Sequence, residues 1–360
     1  MAKTKYTPFL KLKVNEVAAV ASLADEVSDE IVPFFDLPMK KGMSTDTFST
    51  MVTKAARKIE INLGKTRPFF LDNYDIPDAI TAGGKANYSY IAAAFAKLSF
   101  IPVLGLNRSP AHNQAVMQGR TDGLIDSTRV AIRLAGDDFE DFSLVEDDLE
   151  NLVAQALSVF EDCVLIIDCR VCLNTDPAEL TKRIFAFLTA AQAKFVFAET
   201  IVTGSSLPAS IGDVAKTSQD SELPRVELQI FKALRSLGGM EHVGLGDYTV
   251  VSPLYSEVTL PPEMLPNITA PKILYANDAV HFIARGSALK THARGNLQYN
   301  DMLAELIKMP FFRGEDYSVG DAFLAKKSVA VGKMVTPGSI LNPTINAHIT
   351  YMATDHPLVA

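Results

Sequence analysis

Four short apolar runs, each entered through a proline, constrain the fold of this chain more than any other feature: Thr7-Pro8-Phe9-Leu10, Val32-Pro33-Phe34-Phe35, Arg67-Pro68-Phe69-Phe70 and Ile101-Pro102-Val103-Leu104. Their prolines recur at intervals of 25, 35 and 34 residues. Proline has no backbone N–H to give to a sheet and is tolerated at the first residue of a strand, so each run is expected to be a strand with a marked start. Between them, Asn15 to Ser28 and Thr47 to Ile61 carry apolar residues at three- and four-residue spacing, the period of a helix. Repeated strand, helix, strand implies right-handed crossovers and a parallel sheet.

The alternation continues without the proline. Arg129 to Leu134 is expected to be a fifth strand, Val164 to Asp168 a sixth, Phe195 to Glu199 a seventh, and Val243 to Val251 an eighth. Ser143 with Glu146 has capping-box spacing, and Asp176-Pro177 followed by Glu179 places an acceptor at a cap and proline at the first helical position, so helices should begin near 144 and 177. Eight such strands over residues 1–255 predict an α/β (β/α)8 TIM-barrel-like fold, with an open doubly wound sheet as the alternative. Residues 256–360 are expected to form a C-terminal α+β elaboration packed on the barrel. In it, Lys272 to Tyr275 and Val280 to Ala284 flank a hairpin turn, and Gln298 to Met309 has helical spacing.

The 360 residues include 34 Lys+Arg against 42 Asp+Glu, a formal charge of −8. The whole excess sits in one stretch, Asp137, Asp138, Glu140, Asp141, Glu146, Asp147, Asp148 and Glu150. A body that is otherwise neutral has no surplus of cations to neutralise a phosphate backbone, which argues against nucleic-acid binding through bulk charge but leaves a local basic patch open. No run approaches the roughly 18 apolar residues of a membrane span. Cys163, Cys169 and Cys172 are too bunched for a disulfide framework, and the opening residues show no secretion signal, so a cytoplasmic location is expected.

Barrel proteins keep their polar groups at the C-terminal ends of the strands. Those ends supply Lys11 and Lys13, Asp36, Asp72 with Asn73, Asn107 with Arg108, Arg133, Asp168 with Arg170, Glu199, and Asp247. Asp36, Asp72, Asp168, Glu199 and Asp247 are the candidate catalytic carboxylates, able to act as acid and base across a shared mouth. Lys11, Lys13, Asn107, Arg133, Arg170, Ser205 and His348 are the candidate ligand-binding groups. The competing explanation is that acids and amides there cap helices. Ser205 belongs to Gly204-Ser205-Ser206, placed where barrels often hold phosphate. The scattered histidines and the lack of a second Cys pair give no zinc signature; magnesium on Asp36, Asp72, Asp168 and Glu199 is the one arrangement considered, and no metal or cofactor is expected. Cys169 and Cys172 have redox spacing but do not open a helix, so they are expected to be reduced structural thiols. Gly83-Gly84-Lys85 and Gly244-Leu245-Gly246 are read as turns.

The acidic stretch has two explanations. At a helix entrance negative charge is favoured by the backbone dipoles; as a surface it would meet a basic partner protein by imitating phosphate charge.

Tyr6-Thr7-Pro8-Phe9-Leu10-Lys11-Leu12-Lys13 and Ile31-Val32-Pro33-Phe34-Phe35-Asp36-Leu37-Pro38 resemble the opening of the phage and bacterial beta protein family, with further matches at Gly246-Asp247-Tyr248 and Asn346-Ala347-His348-Ile349. That family is named for a satellite-phage protein encoded beside a toxic gene product whose killing it counteracts. The resemblance implies a role in a prophage-borne antiviral defence or toxin–antitoxin module, with a protein partner encoded nearby. Lys11, Lys13, Asp36 and His348 are the family-matching polar positions, and a Lys13–Asp36 pair is expected at one rim. The function expected is restraint or sensing of that partner; the alternative is a barrel hydrolase or phosphodiesterase using the rim carboxylates. Oligomeric state is left open.

Overall fold

The structure, a computed structural model, describes residues 5–255 and 269–359. Eight parallel strands close into a barrel: β1 (Tyr6–Lys11), β2 (Phe34–Asp36), β3 (Phe69–Asp72), β4 (Phe100–Leu104), β5 (Arg129–Ala135), β6 (Asp162–Val171), β7 (Glu199–Ser205) and β9 (Gly244–Asp247), with β9 hydrogen-bonded back to β1. Closure rules out the open doubly wound sheet. Pro33 and Pro68 immediately precede their strands, whereas Pro8 and Pro102 lie inside theirs. In the first three repeats one aromatic faces the barrel axis: Phe9, Phe34 and Phe70 stack in sequence with ring centroids 4.3 and 5.7 Å apart. Ile101, Val103, Ala131, Val164, Ile166 and Ile201 complete that inner core. The opposite side chains, such as Leu10, Phe35 and Leu71, pack under the helices.

Helices α1 (Val14–Ala21), α2 (Asp25–Asp29), α3 (Thr45–Leu63), α4 (Asn87–Phe95), α5 (Pro110–Thr121), α6 (Phe142–Leu157), α7 (Pro177–Lys194) and α8 (Val226–Arg235) fill the crossovers. Asp176 caps α7 by accepting from the Ala178 N–H at 2.9 Å, as its sequence predicts. At α6 the cap is Asp141, which accepts from Ser143, so the helix starts earlier than the Ser143 spacing suggested. The single helix expected over 15–28 is two, α1 and α2, broken after Ala21. Asn346 of a distant helix donates to the Ala19 carbonyl at 3.1 Å and to Ser22 Oγ at 3.2 Å, satisfying the end of α1 from outside.

The seventh strand departs most from expectation. Phe195 to Phe197 do not enter the sheet, which Ala198 first touches by donating its N–H to the Cys163 carbonyl at 2.9 Å; Phe195 packs its ring on Phe142 and Phe197, 6.4 and 6.0 Å away, and Val196 is 90% exposed. The alternating apolar pattern here comes from a helix exit covered by aromatics, and the strand follows it. Glu199 therefore opens β7, in register with Val164 near the start of β6.

The chain beyond the barrel forms β10 (Lys272–Ala276) and β11 (Val280–Arg285), the expected hairpin, with α9 (Gln298–Leu306), α10 (Val319–Lys327) and α11 (Leu341–Thr354). Its second core gathers Ile273, Tyr275, Phe282, Tyr299 and Leu303. The hairpin takes a third strand, β8 (Ser221–Pro224), from within the barrel segment, pairing β8 antiparallel to β11. The boundary at 255 is thus crossed by a strand that sequence reading did not find, being short and with an exposed Glu222 and Pro224. No described helix is long and apolar enough to cross a membrane.

Gly246 shows how little room the barrel wall leaves: a Cβ there would lie 2.7 Å from Phe9 Cε2 and 2.9 Å from the Thr7 carbonyl oxygen. Gly246→Ala is expected to cost about 1–3 kcal/mol through overpacking, read as a lowered midpoint in urea unfolding followed by circular dichroism.

Candidate functional site

The inward-facing residues at the C-terminal ends of the strands form one ion-pair network centred on Arg133. Its Nη1 donates to Asp36 Oδ1 and Asp72 Oδ2, each at 2.8 Å, while Nε and Nη2 donate to Asp168 Oδ2 at 3.0 and 2.6 Å. Nη2 also reaches Tyr248 Oη at 2.8 Å, and that hydroxyl donates to Asp168 Oδ2 at 2.6 Å. Arg108 holds Asp72 at 2.6 Å, and Lys11 Nζ lies 3.6 Å from Asp36. A second layer closes over the first: Tyr74 presents its ring to Arg108, Arg133 and Arg170 at 4.7, 4.5 and 4.5 Å, and Asp75 bridges Lys11 and Arg170. Arg133, Asp36, Asp72 and Asp168 are each no more than 1% exposed.

Strand geometry explains the gathering. Lys11, Asp36 and Asp72 are aligned across β1, β2 and β3, and alternate side chains of a strand face the same side. Arg133 rises from two residues above Ala131 in the inner core and lies over the Phe34 ring at 5.0 Å, so its guanidinium has apolar packing beneath and carboxylates around it. Burial by itself would raise the pKa of Asp36, but the Arg133 and Lys11 charges outweigh it and hold the carboxyl below the usual range. Burial likewise opposes ionisation of Arg133, and the surrounding acids overcome it. Sharing neutralises these groups, since each strong acid already has a cation at hydrogen-bond distance.

A second cluster lies on the outer side of the same wall. Asp247 faces away from the axis and accepts from Tyr6 Oη, from Arg225 Nη2 at 2.7 Å and from His348 Nε2 at 2.9 Å. Glu227 accepts from Arg225 Nε at 3.2 Å and from Ser206 Oγ at 2.6 Å, and the His281 ring stacks on His348 with centroids 6.1 Å apart. Burial, followed by the Arg225 and His348 charges, drives the His281 pKa well below its ordinary value, and burial lowers that of His348. Burial opposes ionisation of Asp247, yet the His348, Arg225 and Tyr6 contacts keep its carboxyl below the usual range. His348 Nε2 lies 3.0 and 2.9 Å from the two Asp247 carboxylate oxygens, and this cluster fastens α11 to the barrel.

Of the residues expected from sequence, Lys11, Asp36, Asp72, Arg133, Asp168 and Arg170 meet in the mouth. Lys13 does not pair with Asp36; it lies beyond the end of β1, exposed, and Lys11 takes that place because Lys11 is the residue in register with Asp36. Lys13 instead lines a cleft of about 500 Å³ with Lys40, Lys54 and Lys58. Asn107 is exposed at the margin, 3.5 Å from the Tyr74 hydroxyl. Asp247 and His348 are joined to each other but outside the barrel. Glu199 stands at the opposite end, since its strand begins there. Ser205 Oγ accepts from the Leu207 N–H at 3.0 Å and Ser206 is bound to Glu227, so both hydroxyls of the supposed phosphate turn serve the chain itself. Burial pushes the Cys163 thiol up to about 12 and raises those of Cys169 and Cys172, which removes their nucleophilic form at neutral pH. Asp36, Asp72 and Asp168 direct oxygens at Arg133, and among the described residues no group of three or more His, Cys, Asp or Glu is placed to hold a metal.

Sequence reasoning missed Tyr74, Asp75, Arg225, Glu227 and Tyr255. Tyr74 and Asp75 were within reach, lying two and three residues past the end of β3, where a barrel loop bends over its mouth. Arg225 and Glu227 carry no local signal, because what recruits them is Asp247 on a separate strand.

A family model described as Beta protein matches residues 6–354. No curated protein and no solved structure matches the chain. The four motifs that suggested the resemblance converge: Tyr6, Asp247 and His348 meet outside the wall, while Lys11, Asp36 and Tyr248 meet inside it.

Two outcomes follow from these clusters. Arg133→Met removes the cation shared by three buried carboxylates and should cost about 3–5 kcal/mol, measured by urea unfolding. His281 titrates near its ordinary value of about 6.5 in the unfolded chain and far lower when folded, so its stabilising contribution is full above about pH 6.5 and is lost as pH falls below it. The stability gap between the native protein and His281→Asn should therefore narrow between about pH 7 and pH 5; a gap that stays constant or widens contradicts the assignment.

Proposed function

Starting from the Beta protein family, to which the chain belongs over nearly its whole length, we propose that the protein works by binding: it restrains or senses a partner protein within a phage-encoded antiphage or toxin-neutralising module in the cytoplasm. The observation that supports this reading is the neutralised mouth. A general acid or base must exchange a proton with a substrate, which requires an accessible group with a pKa near the working pH. Asp36, Asp72 and Asp168 instead point at the buried Arg133 and hold no exposed surface beyond 1%. A hydrolase or phosphodiesterase using these carboxylates is correspondingly less supported.

The acidic stretch provides a face for such a partner. Asp137, Glu140, Asp141, Asp147, Asp148 and Glu150 are exposed around Leu144, itself 75% exposed, while Lys194 compensates only Glu146 and Glu150. An apolar anchor ringed by carboxylates suits a basic protein surface, with the charges steering encounter and the leucine burying area. Deleting the gene while its neighbours remain should be toxic to the host; healthy deletion cells overturn the reading. Reversing Asp137, Glu140, Asp147 and Asp148 to Lys together should abolish protection while leaving the thermal midpoint of the purified protein within a few degrees of the native one.

A further inference from the structure

The outer layer of the barrel mouth contains an acid unlike the three beneath it. Asp75 is partly exposed and stands on the connection between β3 and α4, outside the sheet. Its carboxylate is held by Lys11 Nζ, by Arg170 Nη2 at 3.2 Å and by the Tyr255 hydroxyl. These donors come from β1, from the end of β6 and from the segment after β9, three separate parts of the barrel. Tyr255 is itself fixed: its hydroxyl accepts from the Met39 N–H at 3.0 Å, and its ring carries Lys11 at 4.9 Å. Lys11 is 3% exposed along its side chain, so its ammonium has little water to replace a lost partner.

Arg170 shows that the backbone is bent to make this cradle. Its φ is +50°, a left-handed conformation that side-chain-bearing residues seldom adopt, and the register between β6 and β7 shifts between Asp168 and Val171. The distortion is held by the Arg170 N–H donating to Asp168 Oδ1 at 2.8 Å and by its guanidinium donating to the Pro253 carbonyl at 3.3 Å. Backbone strain of this kind persists where the surroundings over-determine it, often at ligand clamps.

Without Asp75, the mouth holds the four cations Lys11, Arg108, Arg133 and Arg170 against the three acids Asp36, Asp72 and Asp168. We propose that the Lys11–Arg170–Tyr255 cradle is a binding site for a small phosphate-bearing oxyanion, and that the chain's own Asp75 carboxylate occupies it in this structure as a displaceable stand-in. Two cations and a hydroxyl converging from different elements match the several acceptor oxygens of a phosphate better than the two of a carboxylate. This inference is independent of the partner reading, since it concerns the opposite charge at a different surface.

Thermal unfolding followed by circular dichroism tests it, with inorganic phosphate as probe and sodium chloride at matched ionic strength as control. Asp75→Asn should unfold at a lower temperature than the native protein, and phosphate should restore its midpoint saturably where chloride does not. Asp75→Asn with Arg170→Gln should lose that rescue. Adenosine 5′-monophosphate in place of phosphate distinguishes the source: binding about tenfold or more tighter, some 1.4 kcal/mol, assigns a phosphate ester, and equal binding assigns free phosphate. If Asp75→Asn fails to fold, calorimetric titration of phosphate into the native protein and Arg170→Gln decides, with affinity reduced about tenfold or more in the variant. Phosphate acting no better than chloride, or the Arg170→Gln background responding equally, overturns the proposal.

Discussion

A guanidinium removed from water must find acceptors for its N–H groups, and in this barrel that demand organises the mouth. Arg133 sits on the innermost aromatic layer and is met by Asp36, Asp72 and Asp168 from three other strands. Those acids could not be buried together without it, and it could not be buried without them. The arrangement ties β2, β3, β5 and β6 through side chains as well as through the sheet. Such a network favours one geometry over its neighbours rather than adding large net stability, because desolvation consumes much of the attraction.

The same wall serves two purposes according to the side its residues face. Tyr248 points inward to Arg133 and Asp168, while the adjacent Asp247 points outward to Arg225 and His348. Consecutive residues of one short motif thus belong to different clusters, one beneath the mouth and one under the last helix. A sequence motif of this kind reports a shared wall and carries no implication that its residues act on one ligand.

The barrel was legible because its cause is local and repeated: proline-entered runs with helical spacing between them return as β1 to β4 with their crossovers, and the cap at Asp176 lies where its chemistry puts it. The errors have physical sources. Phe195 and Phe197 look like strand residues because aromatics suit both a pleated face and a helix exit, and only packing on Phe142 separates the two. The mouth was legible in part: strand ends named Asp36, Asp72, Arg133 and Asp168, but not that their charges would cancel. Whether a carboxylate faces a substrate or an arginine depends on register between strands far apart in sequence, which no local pattern carries. Lys11 and Lys13 make the point at smallest scale, since two residues' displacement separates a buried ion pair from an exposed cleft.

Asn346 has a consequence for the order in which the chain is made. It reaches back 327 residues to take the Ala19 carbonyl, and β8 likewise waits for β11 before its edge is paired. The Ser22 hydroxyl donates to that carbonyl locally at 3.2 Å, so Asn346 adds a second, distant donor that ties the end of α1 to α11. Until β11 has been made, β8 has no partner strand for its edge. Both contacts make the surface of earlier segments depend on segments made much later.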